Sequence, residues 1–155
     1  MPRKGKASKS QSPETYLFRI EDFAPEYSFH AAFSRLDVGP YGEYAHTRIV
    51  GSCLMPPKLA GRETQFTVIG DREYTQALVQ PPRDCTAANG IGTLAMRGGE
   101  SQYLGSLPFD VLMAIGPCVL TGGLQFMALV GPPLFRGSTR ITRMSFLKDA
   151  DPNDY

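Results

Sequence analysis

The sequence has few of the residues that carry most metal, redox and nucleophilic chemistry. Its two histidines, His30 and His46, and its three cysteines, Cys53, Cys85 and Cys118, are scattered along 155 residues. A structural zinc site draws four N or S donors from closely spaced pairs, and no pair among these five has that spacing. No metal is expected. An odd number of cysteines without a CxxC pair argues against a disulfide framework and for free thiols in a reducing compartment. Cys53 and Cys118 stand in apolar settings and read as small core residues. Cys85 stands in a polar loop.

An unbroken apolar run is also missing. Residues 107–135, LPFDVLMAIGPCVLTGGLQFMALVGPPLF, hold one charged side chain, Asp110. Gly116-Pro117, Gly122-Gly123 and Gly131-Pro132-Pro133 cut this stretch into pieces of roughly six to eight residues, far short of the ~20 that a membrane helix needs. Proline and paired glycines inside a helix are costly, so no membrane span is expected. No apolar segment follows the positive charges near the N-terminus, which predicts no export by a signal peptide and a cytoplasmic location. Trp is absent, which by itself excludes nothing.

A dinucleotide site is excluded by context. Gly90–Ala95, GIGTLA, matches the G-x-G-x-x-A spacing, but that chemistry needs a strand before it and a helix after it. Here a Pro-, Asp- and Asn-rich loop precedes it and a strand-like segment follows. Asp71, Arg72 and Glu73 stand together after a strand and read as a charged hairpin turn rather than an acid–base pair. No cofactor is expected, and no set of residues converges on a catalytic centre.

What remains is an ordinary globular composition, 42% hydrophobic and 20% charged, of a length that suits one domain with a sizeable core. Sixteen glycines and thirteen prolines predict many turns and few long helices. The charge is uneven. Arg3, Lys4, Lys6 and Lys9 fall in the first thirteen residues, which contain no acid, leaving twelve basic against fifteen acidic residues thereafter. Residues 1–13 are expected to be a disordered basic tail, 14–147 a single β-rich domain, and 148–155 an acidic frayed end.

Within the domain, TYLFRIEDF alternates, with Tyr16, Phe18 and Ile20 on one face. EYSFHAAFSRL reads as a second strand anchored by Tyr27, Phe29 and Phe33. YAHTRIVGSCLM and TQFTVIG read as further strands. REYTQALV is expected to pair back on its predecessor across Gly70-Asp71, and GTLAMRG with SQYLGSL to form a hairpin at Gly98-Gly99. Residues 107–115 suit a short helix capped by Ser106, with Leu107, Val111 and Ile115 on one face and Phe109 and Met113 on the other. LQFMALV, with apolar residues on both faces, reads as a central strand; STRITRMSFL reads as a terminal one. Pro56-Pro57-x-x-x-Gly61 and Pro132-Pro133-x-x-x-Gly137 repeat a spacing, which chance explains.

The fold expected is mostly β, a β-sandwich or partly open barrel of about eight or nine antiparallel strands with one short helix near 107–115. The alternative is an α+β arrangement with that helix packed on an antiparallel sheet. For function, the leading expectation is a non-catalytic interaction or assembly module. It would be a homo-oligomer held by apolar surface at Phe109, Met113, Met127 and Leu129. An alternative is a small-ligand-binding protein or small enzyme using the 80–92 loop, with Asp84, Cys85, Arg136 and Arg140 at the ligand. A second alternative is nucleic-acid or other polyanion contact through Arg3, Lys4, Lys6 and Lys9, weak and salt-dependent.

Overall fold

The computed structural model describes residues 12–31, 41–80 and 90–154. Eight strands form one sheet: β1 (Glu14–Ala31), β2 (Tyr41–Met55), β3 (Glu63–Asp71), β4 (Gly92–Arg97), β5 (Glu100–Pro108), β6 (Phe126–Gly131), β7 (Ser138–Ile141) and β8 (Arg143–Leu147). Two helices, α1 (Arg72–Val79) and α2 (Phe109–Leu120), follow β3 and β5. The strand order is β7-β4-β5-β3-β2-β1-β6-β8. All neighbours are antiparallel except β3 and β5, which run parallel, so the expectation of a purely antiparallel sheet fails at one seam.

The two edges of this sheet belong to one chain segment. β7 pairs with β4 and β8 with β6, and only Thr142 separates them. Thr142 donates its N–H to the Val130 carbonyl at 2.8 Å. The terminal strand thus leaves one edge and joins the other, and the sheet nearly closes into a barrel. Closure removes the free edges that an open sheet would present.

The alternation read in the sequence lines the barrel. Tyr16 and Phe18 of β1, Ile49 and Cys53 of β2, Phe66 and Val68 of β3 and Tyr103 of β5 are buried in one core cluster with Met127 and Leu129 of β6. Each fully buried side chain of this size contributes about 1.5–3 kcal/mol. Tyr103 is accommodated by two glycines: a Cβ at Gly105 or Gly92 would stand 2.1 or 2.3 Å from its Oη. The ring therefore lies where any side chain at those positions would be.

Several sequence expectations are corrected. TYLFRIEDF and EYSFHAA are one 18-residue strand, not two. A register shift between Ile20 and Asp22 inserts one extra residue, which returns Phe23 to the inner face opposite Ile49. REYTQALV is the helix α1, because the Asp71 carboxylate accepts the Glu73 N–H at 2.8 Å and caps it. α2 extends past Gly116-Pro117 to Leu120. Pro117 falls in its last turn, where only the Met113 carbonyl loses a helical partner, and Thr121 Oγ1 donates to the Pro117 carbonyl at 2.8 Å. Pro108, not Ser106, precedes the first turn, without a side-chain cap. The two Pro-Pro segments both turn at a glycine in the left-handed region, Gly61 at φ 80° and Gly137 at φ 77°, so the repeated spacing has a matching backbone feature.

Candidate interaction surface

Two structures project beyond the nearly closed barrel at one end. The first is an arm. β6 pairs with β1 only from Glu14 to Arg19, and β3 pairs with β2 only from His46 to Ser52. Beyond those points Tyr27–Ala31 and Tyr41–Ala45 pair only with each other among the described residues. In an antiparallel pair, directly opposite residues share a face, so Tyr27, Phe29, Ala45, Glu43 and Tyr41 line one face of the arm. Phe29 and Tyr41 stack at a centroid distance of 5.4 Å.

The second is α2, seated across the barrel end. Phe109, Leu112 and Gly116 are buried beneath it, with Ile115 and Val119 half-buried. A surface helix ordinarily presents charged and polar residues on its outer face. Here the outer positions are Asp110, Val111, Met113, Ala114, Pro117, Cys118 and Leu120, all exposed, and Asp110 is the only charge.

Between the two runs a groove of about 360 Å³, lined by Tyr27 and Ala45 of the arm, Thr47 of β2 at its base, and Met113, Pro117 and Leu120 of α2. Met113, Pro117 and Leu120 recur at i, i+4 and i+7, one stripe of the helix. Exposures of 50% for Tyr27, 62% for Phe29, 65% for Tyr41, 47% for Met113 and 65% for Leu120 make the groove and the arm face one apolar surface. His46 borders the groove, with its Nε2 3.6 Å from the Glu26 carboxylate. Its Nδ1 is buried and has no hydrogen-bond partner among the described residues.

A closed set of contacts holds the arm over the helix. Arg72, the first residue of α1, reaches the Glu43 carboxylate with Nε at 2.5 Å and Nη2 at 3.0 Å. Glu43 accepts the Tyr27 hydroxyl at 3.0 Å. The Tyr27 ring meets Phe109 edge-on at 6.4 Å, and the Arg72 guanidinium lies 4.0 Å above the Phe109 ring. The Arg72 hydrogen bonds hold the Glu43 carboxyl below its ordinary range. The hydrogen bond to Glu43 raises the Tyr27 phenol in turn. The bidentate geometry is the pattern that makes an arginine–carboxylate pair directional.

The residues singled out from sequence meet different fates. Met113 is exposed in the groove, whereas Phe109 is buried under Arg72, and Met127 and Leu129 are 0% exposed inside the barrel. Met127 and Leu129 therefore offer no outer surface: their strand is flanked by β1 and β8, and their side chains fill the barrel. Arg136 occupies a left-handed turn position over the Phe135 ring, and Arg140 lies on β7 beside Gly90. No hydrogen bond or ion pair among the described residues joins either arginine to another side chain. Asp84, Cys85 and most of the 80–92 loop lie outside the described residues, as do Arg3, Lys4, Lys6 and Lys9. Cys118 is exposed on α2, contrary to its reading as a core residue, because it faces away from the barrel. Cys53 is a core residue, and burial pushes its thiol up to about 11.

A larger open cleft, about 880 Å³, lies between residues 58–65 and the start of β5. Its two cations are already engaged, Lys58 with Glu14 at 3.1 Å and Arg62 with the Gly98 carbonyl at 2.8 Å. GIGTLA leads into the strand β4, without the helix that a dinucleotide would need. Among the described residues no group of three His, Cys, Asp or Glu side chains is placed to hold a metal ion, and no helix is long and apolar enough to cross a membrane.

Sequence reading missed Tyr27, Phe29, Tyr41, Glu43, Arg72 and Leu120. Tyr27 and Phe29 carried the alternation of a half-buried strand, and that signal is the same whether the covering layer is present or absent. Comparison with family models, with curated proteins and with solved structures finds no match for the chain.

Proposed function

We propose that the protein is a non-catalytic assembly module that self-associates through the face formed by α2 and the aromatic arm. The observation that carries this reading is the outer face of α2, where six of seven exposed positions are uncharged. Such a face, continuous with an exposed aromatic strand pair, exceeds the scattered apolar residues of an ordinary surface. Its chemistry suits association rather than catalysis. The Arg72–Glu43 pair is internally compensated, and among the described residues no nucleophile–base pair borders the groove.

Sedimentation of the full chain over a series of micromolar concentrations tests the proposal. A concentration-dependent dimer or higher oligomer is expected, and Leu120→Asp shifts it to monomer without changing the far-ultraviolet spectrum. A chain that stays monomeric throughout overturns the reading.

A further inference from the structure

We propose that two copies of the chain exchange arms: the Phe29–Tyr41 pair of each copy seats in the groove between α2 and the arm base of the other. This rests on the assembly reading and names its geometry and its occupant.

The groove and the exposed Phe29–Tyr41 pair, the tip of the described part of the arm, lie on the same face of the same strand pair. Tyr27, in the groove wall, and Phe29, at the tip, are two residues apart on β1 and point the same way, a separation of about 7 Å. A two-fold axis lying in the plane of that face, running across the strands and passing between these two residues, turns the second copy face to face with the first and sets each tip over the partner's groove. Every contact is then made twice, as a closed two-fold interface requires. The groove volume of about 360 Å³ accepts an aromatic ring between Tyr27 and the Met113–Pro117–Leu120 stripe.

Area and charge agree with a second copy as the occupant. Tyr27, Phe29, Tyr41, Met113 and Leu120 together expose roughly 600 Å², most of the ~800 Å² that one partner gives to a stable interface. The outward face of α2 adds the rest. Glu43 stands directly opposite Phe29, but Arg72 already neutralises it, so two copies meet without an unpaired carboxylate at the tip. The same contact holds the arm in place before association, which lowers the ordering cost of the interface.

The experiment uses two variants of the full chain, neither altering a buried residue. The tip variant is Phe29→Ser with Tyr41→Ser; the groove variant is Met113→Glu. Far-ultraviolet circular dichroism establishes that both remain folded. Each variant alone is expected to dissociate at least about 100-fold more readily than the original chain, since both of its tip–groove contacts are damaged. A mixture of the two retains one intact contact, the groove variant's tip in the tip variant's groove. Mixed dimers are therefore expected at concentrations where either variant alone is monomeric.

If the tip variant dimerises as the original chain does, arm exchange is overturned while self-association through α2 survives. If both variants dissociate but their mixture does not associate, tip and groove are not partners and exchange again fails. If the original chain is a monomer, the assembly reading fails first and exchange with it.

Discussion

α2 and β6 come from the same nearly uncharged stretch, and the fold treats them in opposite ways. β6 is bounded by β1 and β8, its inward side chains fill the barrel, and Met127 and Leu129 have no solvent contact. α2 has the barrel end beneath it and the arm along one side, and leaves an apolar outer face uncovered. Composition is nearly constant across the two, so composition does not decide which is covered. Position does: a strand inside a closing sheet gains neighbours on both edges, whereas a helix placed on the end of a barrel has a single floor.

The comparison can be broken by truncating a leucine in each region. Leu129→Ala leaves a hole in the barrel interior and is expected to cost about 2–5 kcal/mol in urea unfolding. Leu120→Ala, on the exposed stripe of α2, is expected to stay within about 0.5 kcal/mol for the monomer. Equal losses at the two sites would mean that α2 is covered within one chain. A second interior change is expected to be smaller. Gly105→Ala brings a methyl group against the Tyr103 hydroxyl and the Ile91 carbonyl, an overpacking cost of about 1–3 kcal/mol. A neutral result there would show that the Tyr103 ring swings aside freely and that the barrel centre is loosely packed.

The same contrast explains what was legible in the sequence. The mostly β class, the hairpin at Gly98-Gly99 and the presence of a helix in the region of residues 107–115 were readable because they depend on alternation, glycine pairs and proline, which act locally. Closure of the barrel was not. It depends on Thr142 letting one strand change partners, and nothing in STRITRMSFL marks that switch. α1 was missed because Asp71-Arg72-Glu73 serves equally as a charged turn or as a capped first turn, and only the Asp71–Glu73 hydrogen bond distinguishes them. Of the proposed apolar surface, the excess in residues 107–135 was visible and led to Met113. Met127 and Leu129 were misassigned because strand periodicity shows that both faces are apolar without showing that both are covered. The arm's aromatics, Tyr27 and Phe29, gave the reverse error.

The smallest expected effect concerns the arm's attachment. Arg72 lowers the Glu43 carboxyl below its ordinary value of 4.5, so the ionised group is favoured in the folded arm. A carboxyl depressed on folding contributes its stabilisation above its unfolded pKa and loses it as pH falls through the folded one. The Glu43–Arg72 contact is therefore complete at neutral pH and opens only in acid. The amide resonances of Tyr27, Ala45 and Arg72 are expected to move together on acidification, with a midpoint below 4.5, while those of Leu94 and Ile141 in the barrel hold still. Glu43→Gln removes the transition and loosens the arm at every pH, because the neutral amide still accepts from Tyr27 but no longer pairs with the guanidinium. Salt weakens the contact in the original chain and not in the variant, since an exposed ion pair is screened. If the arm resonances do not move, or move at or above 4.5, Arg72 is not what fixes the arm over α2. Apolar packing of Tyr27 on Phe109 would then hold it, and the uncovered face of α2 would owe its shape to that contact alone.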